Sequence, residues 1–265
     1  MKRKTIYIGT LLLATIFTAG ILLAKIRSKK ALPQTYYSIN DIPHDSTTVK
    51  IGMIGDSWAS IALQYGFNNY LDSLLHEQAI HSKTLIKGIP GAKTKAIYLN
   101  LFSEKASESF KYIIQHRPQY CIVSAGINDL HGQYGEEYYK HNLLLIIKAL
   151  LHYDIKPIIL EIPSFYNLEQ YKVYGFPRRS AYRMLSLIHS GNFGMDNLPR
   201  YRKSLVEVLK KEQLEDKIIY ISTDSTLQNN KDLYTDNMHI SKEGYHLLGI
   251  AIVQQITNDI DKKLP

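Results

Sequence analysis

The stretch that decides the fold runs from Val49 to Ala59 and reads VKIGMIGDSWA. Its apolar, partly β-branched beginning is typical of a buried strand, and Gly55, Asp56 and Ser57 end it abruptly. Asp and Ser both cap helices well, so these letters alone do not decide whether Ser57 caps a helix or attacks a substrate. The answer depends on the residues that the rest of the chain places beside Ser57.

Similar apolar runs recur along the chain, separated by segments in which apolar residues have helical spacing. Continuous apolar strands that alternate with helices predict a parallel sheet covered by helices on both faces. The predicted strands are VKIGMIG, SKTLIKG, YCIVSAG, KPIILEIP and DKIIYIS, at 49–55, 82–88, 120–126, 156–163 and 216–222. The predicted helices span 59–79, 92–116, 134–153, 198–213 and 241–261, with weak points at Gly66 and near Ser103.

Residues suited to acyl transfer follow several of these strands, at the sheet edge where active sites of parallel sheets gather. A serine hydroxyl such as that of Ser57 becomes a nucleophile when a base takes its proton, and His239 can be this base. Asp236, three residues earlier, can orient the imidazole and stabilise its charged form. The N–H groups of Ser57 and Gly91 and the side-chain amide of Asn128 are suitable donors to the developing oxyanion.

Each of these residues also has a structural interpretation, which the sequence leaves open. Ser57 can cap a helix, and Asp236 and Asn128 can stabilise turns. Gly91 can serve a turn after Pro90. His239 can be a surface residue rather than a base. Two further carboxylates at this edge, Asp56 and Asp129, are interpreted as structural rather than catalytic.

The order of these residues resembles that in the SGNH hydrolase superfamily, the GDSL-type esterases and lipases. Four blocks carry the resemblance: GDSWA with Ser57, GIPGAKT with Gly91, GIND with Asn128, and the final D-x-x-H with Asp236 and His239. The resemblance implies that Ser57, His239 and Asp236 are catalytic. It also implies that Ser57, Gly91 and Asn128 form the oxyanion hole.

The resemblance covers residues 49–265 and implies an α/β fold, a three-layer α/β/α sandwich of the flavodoxin-like kind around a parallel five-stranded sheet. It further implies hydrolysis of acyl esters, often acetyl groups on carbohydrates, so the expected partner is an acylated small molecule or glycan. An O-acyltransferase with the same triad and an inactive glycan-binding or scaffold protein are the alternatives. The G-x-S-x-G elbow of α/β-hydrolases is disfavoured, because Ala59 stands where that motif requires glycine.

The first thirty residues predict a membrane anchor that precedes the catalytic domain. An uncharged stretch from Thr5 to Ala24 is flanked by basic residues on both sides and is long enough to span a bilayer as one helix. A cleaved signal peptide is the alternative. The basic flanks nearly balance, so charge only weakly favours a domain outside the cytoplasm. Residues 31–48 are rich in Pro, Asn, Asp and Ser and predict a linker.

An insertion at 164–202 is longer than a simple connection between a strand and a helix requires. Its aromatic residues and arginines favour a lid that binds sugar rings and carboxylate or phosphate groups, or else a solvated or membrane-facing basic surface. The arginines are Arg178, Arg179, Arg183, Arg200 and Arg202.

The composition excludes several classes of protein. With 45% hydrophobic and 21% charged residues, the chain of 265 residues is globular rather than disordered. The net charge of +8 is compatible with nucleic acid binding, but the sequence contains no recognised nucleic-acid module, so nucleic acid is not expected as a partner. His76 and His81 are five residues apart, not four as in the H-E-x-x-H zinc motif, so neither a metal nor another cofactor is expected.

Overall fold

Five parallel strands form one sheet in the order β2-β1-β3-β4-β5. The structure is a computed structural model that describes residues 2–39, 47–105, 109–164, 175–189, 194–228 and 230–262. The strands are β1 (Val49–Gly55), β2 (Ser82–Gly88), β3 (Tyr120–Ser124), β4 (Lys156–Leu160) and β5 (Ile219–Ile221). This is the flavodoxin-like strand order, and it confirms the predicted parallel sheet.

Helices cover both faces of this sheet. In chain order they are α1 (Lys2–Arg27), α2 (Ser57–Gln64), α3 (Phe67–Glu77), α4 (Thr94–Asn100), α5 (Lys111–Gln115), α6 (Ile127–His131), α7 (Glu136–His152), α8 (Phe176–His189), α9 (Leu198–Lys211), α10 (Thr223–Leu227) and α11 (Lys242–Asp261). One core lies between the sheet and α2, α3 and α11, and the other between the sheet and α4, α5, α7 and α9. Successive residues of β1 face opposite cores, since Met53 belongs to the first and Ile54 to the second.

The strand register brings the carboxyl ends of β1, β2 and β3 side by side. Gly55, the last residue of β1, lies opposite Gly88 of β2 and Ser124 of β3. The loops that follow these three strands therefore begin side by side at one edge of the sheet. The predicted strand 120–126 ends at Ser124, because the positive φ of 112° at Gly126 belongs to a turn.

Two predicted helices are each divided in the structure. The helix predicted over 59–79 becomes α2 and α3, which are separated at Gly66, a residue with a left-handed φ of 71°. The helix predicted over 92–116 becomes α4 and α5, and residues 106–108 between them lie outside the described part of the chain.

Residues of the predicted membrane anchor form α1, whose C-terminal half contacts the rest of the protein. Ala24 is buried, and Gly20 faces the methyl group of Met184 in α8. Among the described residues, no helix combines the length and the apolarity needed to cross a membrane. The predicted transmembrane helix is therefore not supported, and the predicted location of the catalytic domain outside the cytoplasm stays a prediction.

The segment that follows α1 lies against the catalytic domain rather than apart from it. Within this N-terminal strap, residues 29–39, the Ala31 N–H donates to Asn142 Oδ1 at 2.9 Å and the Gln34 N–H donates to the Tyr98 hydroxyl at 2.8 Å. The strap is thus hydrogen-bonded to α7 and α4. The first part of the predicted linker therefore packs on the domain, while the predicted boundaries of anchor, linker and domain stay predictions.

Close backbone packing at Gly88 gives the first testable prediction. A Cβ atom on Gly88 would lie 2.1 Å from the backbone nitrogen of Ser60 and 2.5 Å from the carbonyl oxygen of Asp56. Gly88→Ala is expected to lower the free energy of unfolding by roughly 3 kcal/mol, because backbone has to move. Urea denaturation measures this, with Gly175→Ala, where a Cβ atom meets open space, as the control. Equal denaturation midpoints for the two variants would contradict the packing.

Candidate active site

Three predicted catalytic side chains meet at the carboxyl edge of the sheet. The hydroxyl oxygen of Ser57 lies 2.9 Å from Nε2 of His239. On the other side of the ring, Nδ1 of His239 lies 2.7 Å from Oδ2 of Asp236. With the proton assigned to Nδ1, the ring donates to the carboxylate and leaves Nε2 free to accept the serine proton. The arrangement has the connectivity of a serine, a base and an orienting carboxylate.

Local helix starts place the serine and the histidine. Ser57 is the first residue of α2, which follows β1 after one residue, and the side chain of Asp56 caps this helix by accepting the Trp58 N–H at 3.0 Å. His239 precedes α11, whose N-cap is Ser241. Short connections from β1 and into α11 therefore fix the backbone on both sides of the contact between Ser57 and His239.

Asp236 is held as a carboxylate by its own loop. Its partial burial by itself raises the pKa, but hydrogen bonds from the His239 ring and from the N–H groups of Met238 and His239 outweigh this, and the pKa lies below its usual value. The two backbone N–H groups reach Oδ1 at 2.7 and 2.8 Å. Asp236 is therefore ionised over the whole neutral range and can stabilise an imidazolium at His239.

The three predicted oxyanion donors differ in their surroundings, and Asn128 has two acceptors within the protein. As the first residue of α2, Ser57 has an N–H with no carbonyl one turn earlier to bond. Gly91 has a positive φ of 74°, which is the reason for glycine there, because a Cβ atom would meet nothing within 4 Å. The amide nitrogen of Asn128 donates to Asp56 Oδ2 at 3.2 Å and to the Ala92 carbonyl at 3.1 Å.

Asp56 is the residue that the sequence interpretation assessed incompletely. It caps a helix, which agrees with the structural interpretation, but it is also fully buried and accepts hydrogen bonds from the Ser124 hydroxyl and from Asn128. Burial raises its pKa to about 6, against the hydrogen bonds from the Trp58 N–H and the Ser124 hydroxyl. The sequence does carry an indication that Asp56 is buried: it directly follows an apolar, buried strand, so its side chain has no access to solvent.

Asp129 has the structural role that was predicted. Its carboxylate is fully buried and accepts the N–H of Thr94 at 3.0 Å and the Thr94 hydroxyl at 2.6 Å. These bonds fasten α6, which carries Asn128, to the start of α4. Asp129 therefore fixes the loop of Gly91 relative to the amide of Asn128.

The buried charge of Asp129 gives a prediction about pH. Burial raises the folded-state pKa to about 7, against the hydrogen bonds from Thr94. Below an unfolded pKa of about 4 both states are protonated, and above the folded pKa both are charged, so the free energy of unfolding falls between these limits as pH rises. Asp129→Asn keeps an acceptor for the Thr94 N–H and removes this titration. Above pH 7 we expect the free energy of unfolding of Asp129→Asn to exceed that of wild type by an amount on the order of 3 kcal/mol.

Urea denaturation of wild type and Asp129→Asn between pH 4 and 8 measures this effect. Asp56 titrates in the same direction and its charge also raises the pKa of Asp129, so the difference between the two curves reports Asp129 together with its coupling to Asp56. A difference that does not change with pH would contradict a buried, titrating Asp129.

Arg202, in the predicted lid, is engaged within the protein. Its Nη2 donates to the Ile162 carbonyl at 2.6 Å and to Asp224 Oδ1 at 2.9 Å. Hydrogen bonding from Arg202 holds the pKa of Asp224 below its usual range. These contacts join the segments that follow β4 and β5 and favour a structural role for Arg202. The prediction that the arginines of the insertion bind carboxylate or phosphate groups stays a prediction.

The remainder of the insertion is described only in part. Arg200 pairs with Glu136, the first residue of α7, at 2.6 Å. Residues 165–174 and 190–193 and the side chain of Arg178 lie outside the described residues. The lid therefore stays a prediction, and α8 is the described helix that would form part of it.

The sequence matches the GDSL-like Lipase/Acylhydrolase family over residues 53–247, which includes all the site residues described above. The chain belongs to this family. Membership makes it a serine ester hydrolase and confirms the resemblance that the four sequence blocks indicated. Among curated proteins, none matches the sequence.

Three solved structures illustrate the fold that this chain shares with proteins of low sequence identity. A psychrotrophic esterase from Pseudoalteromonas sp. aligns with a TM-score of 0.55 at 15% identity, over 80% of this chain and 98% of its own. An acetylxylan esterase from Geobacillus stearothermophilus aligns with 0.54 at 18%, over 78% and 94%. A GDSL-like lipase from Bacteroides thetaiotaomicron aligns with 0.52 at 15%, over 79% and 88%. These similarities establish the shared three-layer fold.

No metal site is evident in the parts of the chain that the structure describes. Across these ranges, no group of three or more His, Cys, Asp or Glu side chains is arranged to hold an ion. The expectation that the enzyme works without a metal or other cofactor stays a prediction.

Proposed function

We propose that the protein hydrolyses acetyl esters of a carbohydrate through an acyl-enzyme formed on Ser57. The observation that carries the proposal is the continuous contact from Ser57 Oγ to His239 Nε2 at 2.9 Å and from His239 Nδ1 to Asp236 at 2.7 Å. Family membership supports ester hydrolysis but does not by itself name these residues.

In the first half of the reaction, Ser57 Oγ attacks the ester carbonyl while His239 Nε2 takes the hydroxyl proton. Asp236 keeps the ring oriented and stabilises its positive charge. The N–H groups of Ser57 and Gly91 stabilise the negative oxygen. The amide of Asn128 joins them by exchanging its bond to the Ala92 carbonyl for one to this oxygen, while its bond to Asp56 remains. The carbon–oxygen bond to the sugar then breaks, His239 protonates the leaving alkoxide, and Ser57 holds the acetyl group as an ester.

In the second half, water takes the place of the sugar. His239 removes a proton from this water, which attacks the acetyl carbonyl and forms a second tetrahedral intermediate. The bond to Ser57 Oγ breaks, and the serine oxygen regains its proton from His239. Acetic acid leaves and loses its proton to solvent at neutral pH, and the enzyme returns to its starting state.

The acetylated carbohydrate is the finer part of the proposal. Acetylxylan esterases are among the proteins that share the fold, which supports a sugar ester as the substrate class. Ser57 and His239 are only partly exposed, and Asp236 lies at the surface, so the reacting bond has to approach from the open edge of the sheet. Such an edge accommodates an acetyl group on a larger glycan.

Incubation of the purified protein with acetylated xylo-oligosaccharides tests the proposal. We expect acetate release that Ser57→Ala abolishes, with little acetyl transfer to added unacetylated oligosaccharide. Transfer without free acetate would instead establish an O-acyltransferase with the same triad. If the protein cleaves an aryl acetate but none of the sugar esters, the carbohydrate part of the proposal is wrong and the esterase part stands.

A further inference from the structure

A second hydrogen bond joins the two loops that carry Ser57 and His239. The indole N–H of Trp58, the residue after Ser57, donates to the carbonyl oxygen of Met238, the residue before His239, at 2.8 Å. This bond runs beside the contact of 2.9 Å between Ser57 and His239. The immediate neighbours of the nucleophile and of the base are therefore bonded to each other.

The other hydrogen bonds described for the histidine loop, residues 233–241, are internal to it or join it to residues directly beside it in the chain, except that the Tyr234 hydroxyl donates to the Ser164 carbonyl at 3.3 Å. The Thr235 N–H donates to the His239 carbonyl at 2.9 Å, and Asp236 Oδ1 accepts the N–H groups of Met238 and His239. The Ser241 N–H donates to the Leu233 carbonyl at 2.8 Å. These bonds fix the shape of the loop, but none of them fixes its distance from α2.

Trp58 is itself held rigidly. Its side chain is 2% exposed, and its own carbonyl accepts the hydroxyl of Tyr245, in the first turn of α11, at 2.6 Å. The rings of Trp58 and Tyr245 meet edge to face with centroids 6.4 Å apart, and Phe67 packs on Tyr245 at 5.4 Å. The indole is thus a fixed donor against which the exposed histidine loop is placed.

We infer that Trp58 is a positioning residue, whose indole N–H holds the Met238 carbonyl and thereby sets the distance between His239 Nε2 and Ser57 Oγ. The inference rests on the proposed triad and extends it. A displacement of a catalytic group by about 1 Å costs on the order of 100-fold in rate. Loss of the indole N–H is therefore expected to lower kcat by roughly 10- to 100-fold. The value of KM should stay nearly constant, because this N–H does not touch substrate.

The chain contains one tryptophan, which allows an atomic test. Replacement of tryptophan by 3-benzothienylalanine exchanges the indole N–H for sulfur and keeps the ring size, and biosynthetic incorporation changes residue 58 alone. 5-Fluorotryptophan keeps the N–H and serves as the matched control. Turnover of an aryl acetate is measured for both proteins, together with the rate of labelling by a fluorophosphonate.

A structural control separates positioning from general stability. Tyr120→Phe removes the hydrogen bond of 2.8 Å from the Tyr120 hydroxyl to Asp259, which joins β3 to the same helix α11 at the end remote from the site. We expect this variant to lose stability and to keep kcat. The benzothienyl protein is expected to lose kcat and labelling rate, whereas the fluorotryptophan protein keeps both.

Two outcomes would overturn the inference. One is that the wild type is active and the benzothienyl protein has the same kcat. The other is an indole N–H, visible as a single tryptophan signal in a ¹H–¹⁵N spectrum, that exchanges with solvent as fast as an exposed one. The spectrum needs no activity and no variant, so it applies even when the analogue protein does not fold. A wild type without esterase activity would instead contradict the proposed function.

Discussion

Ser57→Ala is expected to lower kcat/KM for an aryl acetate by about 10⁴-fold or more, because no other group replaces the nucleophile. The fold should remain intact, since the one hydrogen bond described for the Ser57 hydroxyl is the contact with His239. Steady-state hydrolysis measures the loss, and urea denaturation checks that stability is retained.

Ser60→Ala is the matched control for this prediction. Ser60 lies on the same helix, one turn beyond Ser57, and its side chain is outside the catalytic contacts described above. It should retain the activity of wild type. If Ser57→Ala keeps more than about a tenth of the activity, the assignment of the nucleophile is wrong, because loss of a catalytic serine leaves only binding and oxyanion stabilisation.

Asp56→Asn is expected to lower kcat by about 100-fold or more, the loss typical of an oxyanion donor. Asp56 uses Oδ1 for Trp58 and Ser124 and Oδ2 for Asn128, so it accepts at both oxygens. An asparagine has to place its NH₂ group against either the Trp58 N–H or the Asn128 amide. In either orientation two donors face each other in a buried site, and the amide of Asn128 loses its position or helix α2 loses its cap.

A double-mutant cycle shows whether Asp56 acts through Asn128. Asn128→Ala alone should lower kcat by a similar factor. If Asp56 acts by orienting this amide, Asp56→Asn combined with Asn128→Ala should be little worse than either single variant. Multiplication of the two single effects would show that the residues act independently and would contradict the orienting role.

The sheet and the order of site residues follow from local sequence. Buried parallel strands read as continuous apolar runs, so β1 and β2 have the bounds that VKIGMIG and SKTLIKG predict. The lengths of the helices were predicted less well. Apolar spacing continues across Gly66, and only the left-handed backbone there divides the stretch into α2 and α3.

The supporting contacts of the site could not be predicted, because they join distant parts of the chain. Asp56 and Asn128 are separated by 72 positions, and Trp58 and Met238 by 180. The N-terminal strap begins the stretch predicted to be a linker, and its contacts also join distant residues: the Ala31 N–H bonds to Asn142, and the ring of Tyr36 stacks on His152. Apolar composition predicted a membrane span in α1, yet composition alone does not reveal that Ala24 packs against protein.

The most direct test of the central claim, that His239 activates Ser57 as the nucleophile, is covalent labelling of the 265-residue protein with a fluorophosphonate. Intact mass should increase by one phosphonyl group per chain, and peptide mapping should place this group on Ser57. His239→Ala should slow the labelling by several orders of magnitude. Absence of an adduct on the wild type, an adduct on another serine, or labelling of His239→Ala at the wild-type rate would contradict the account.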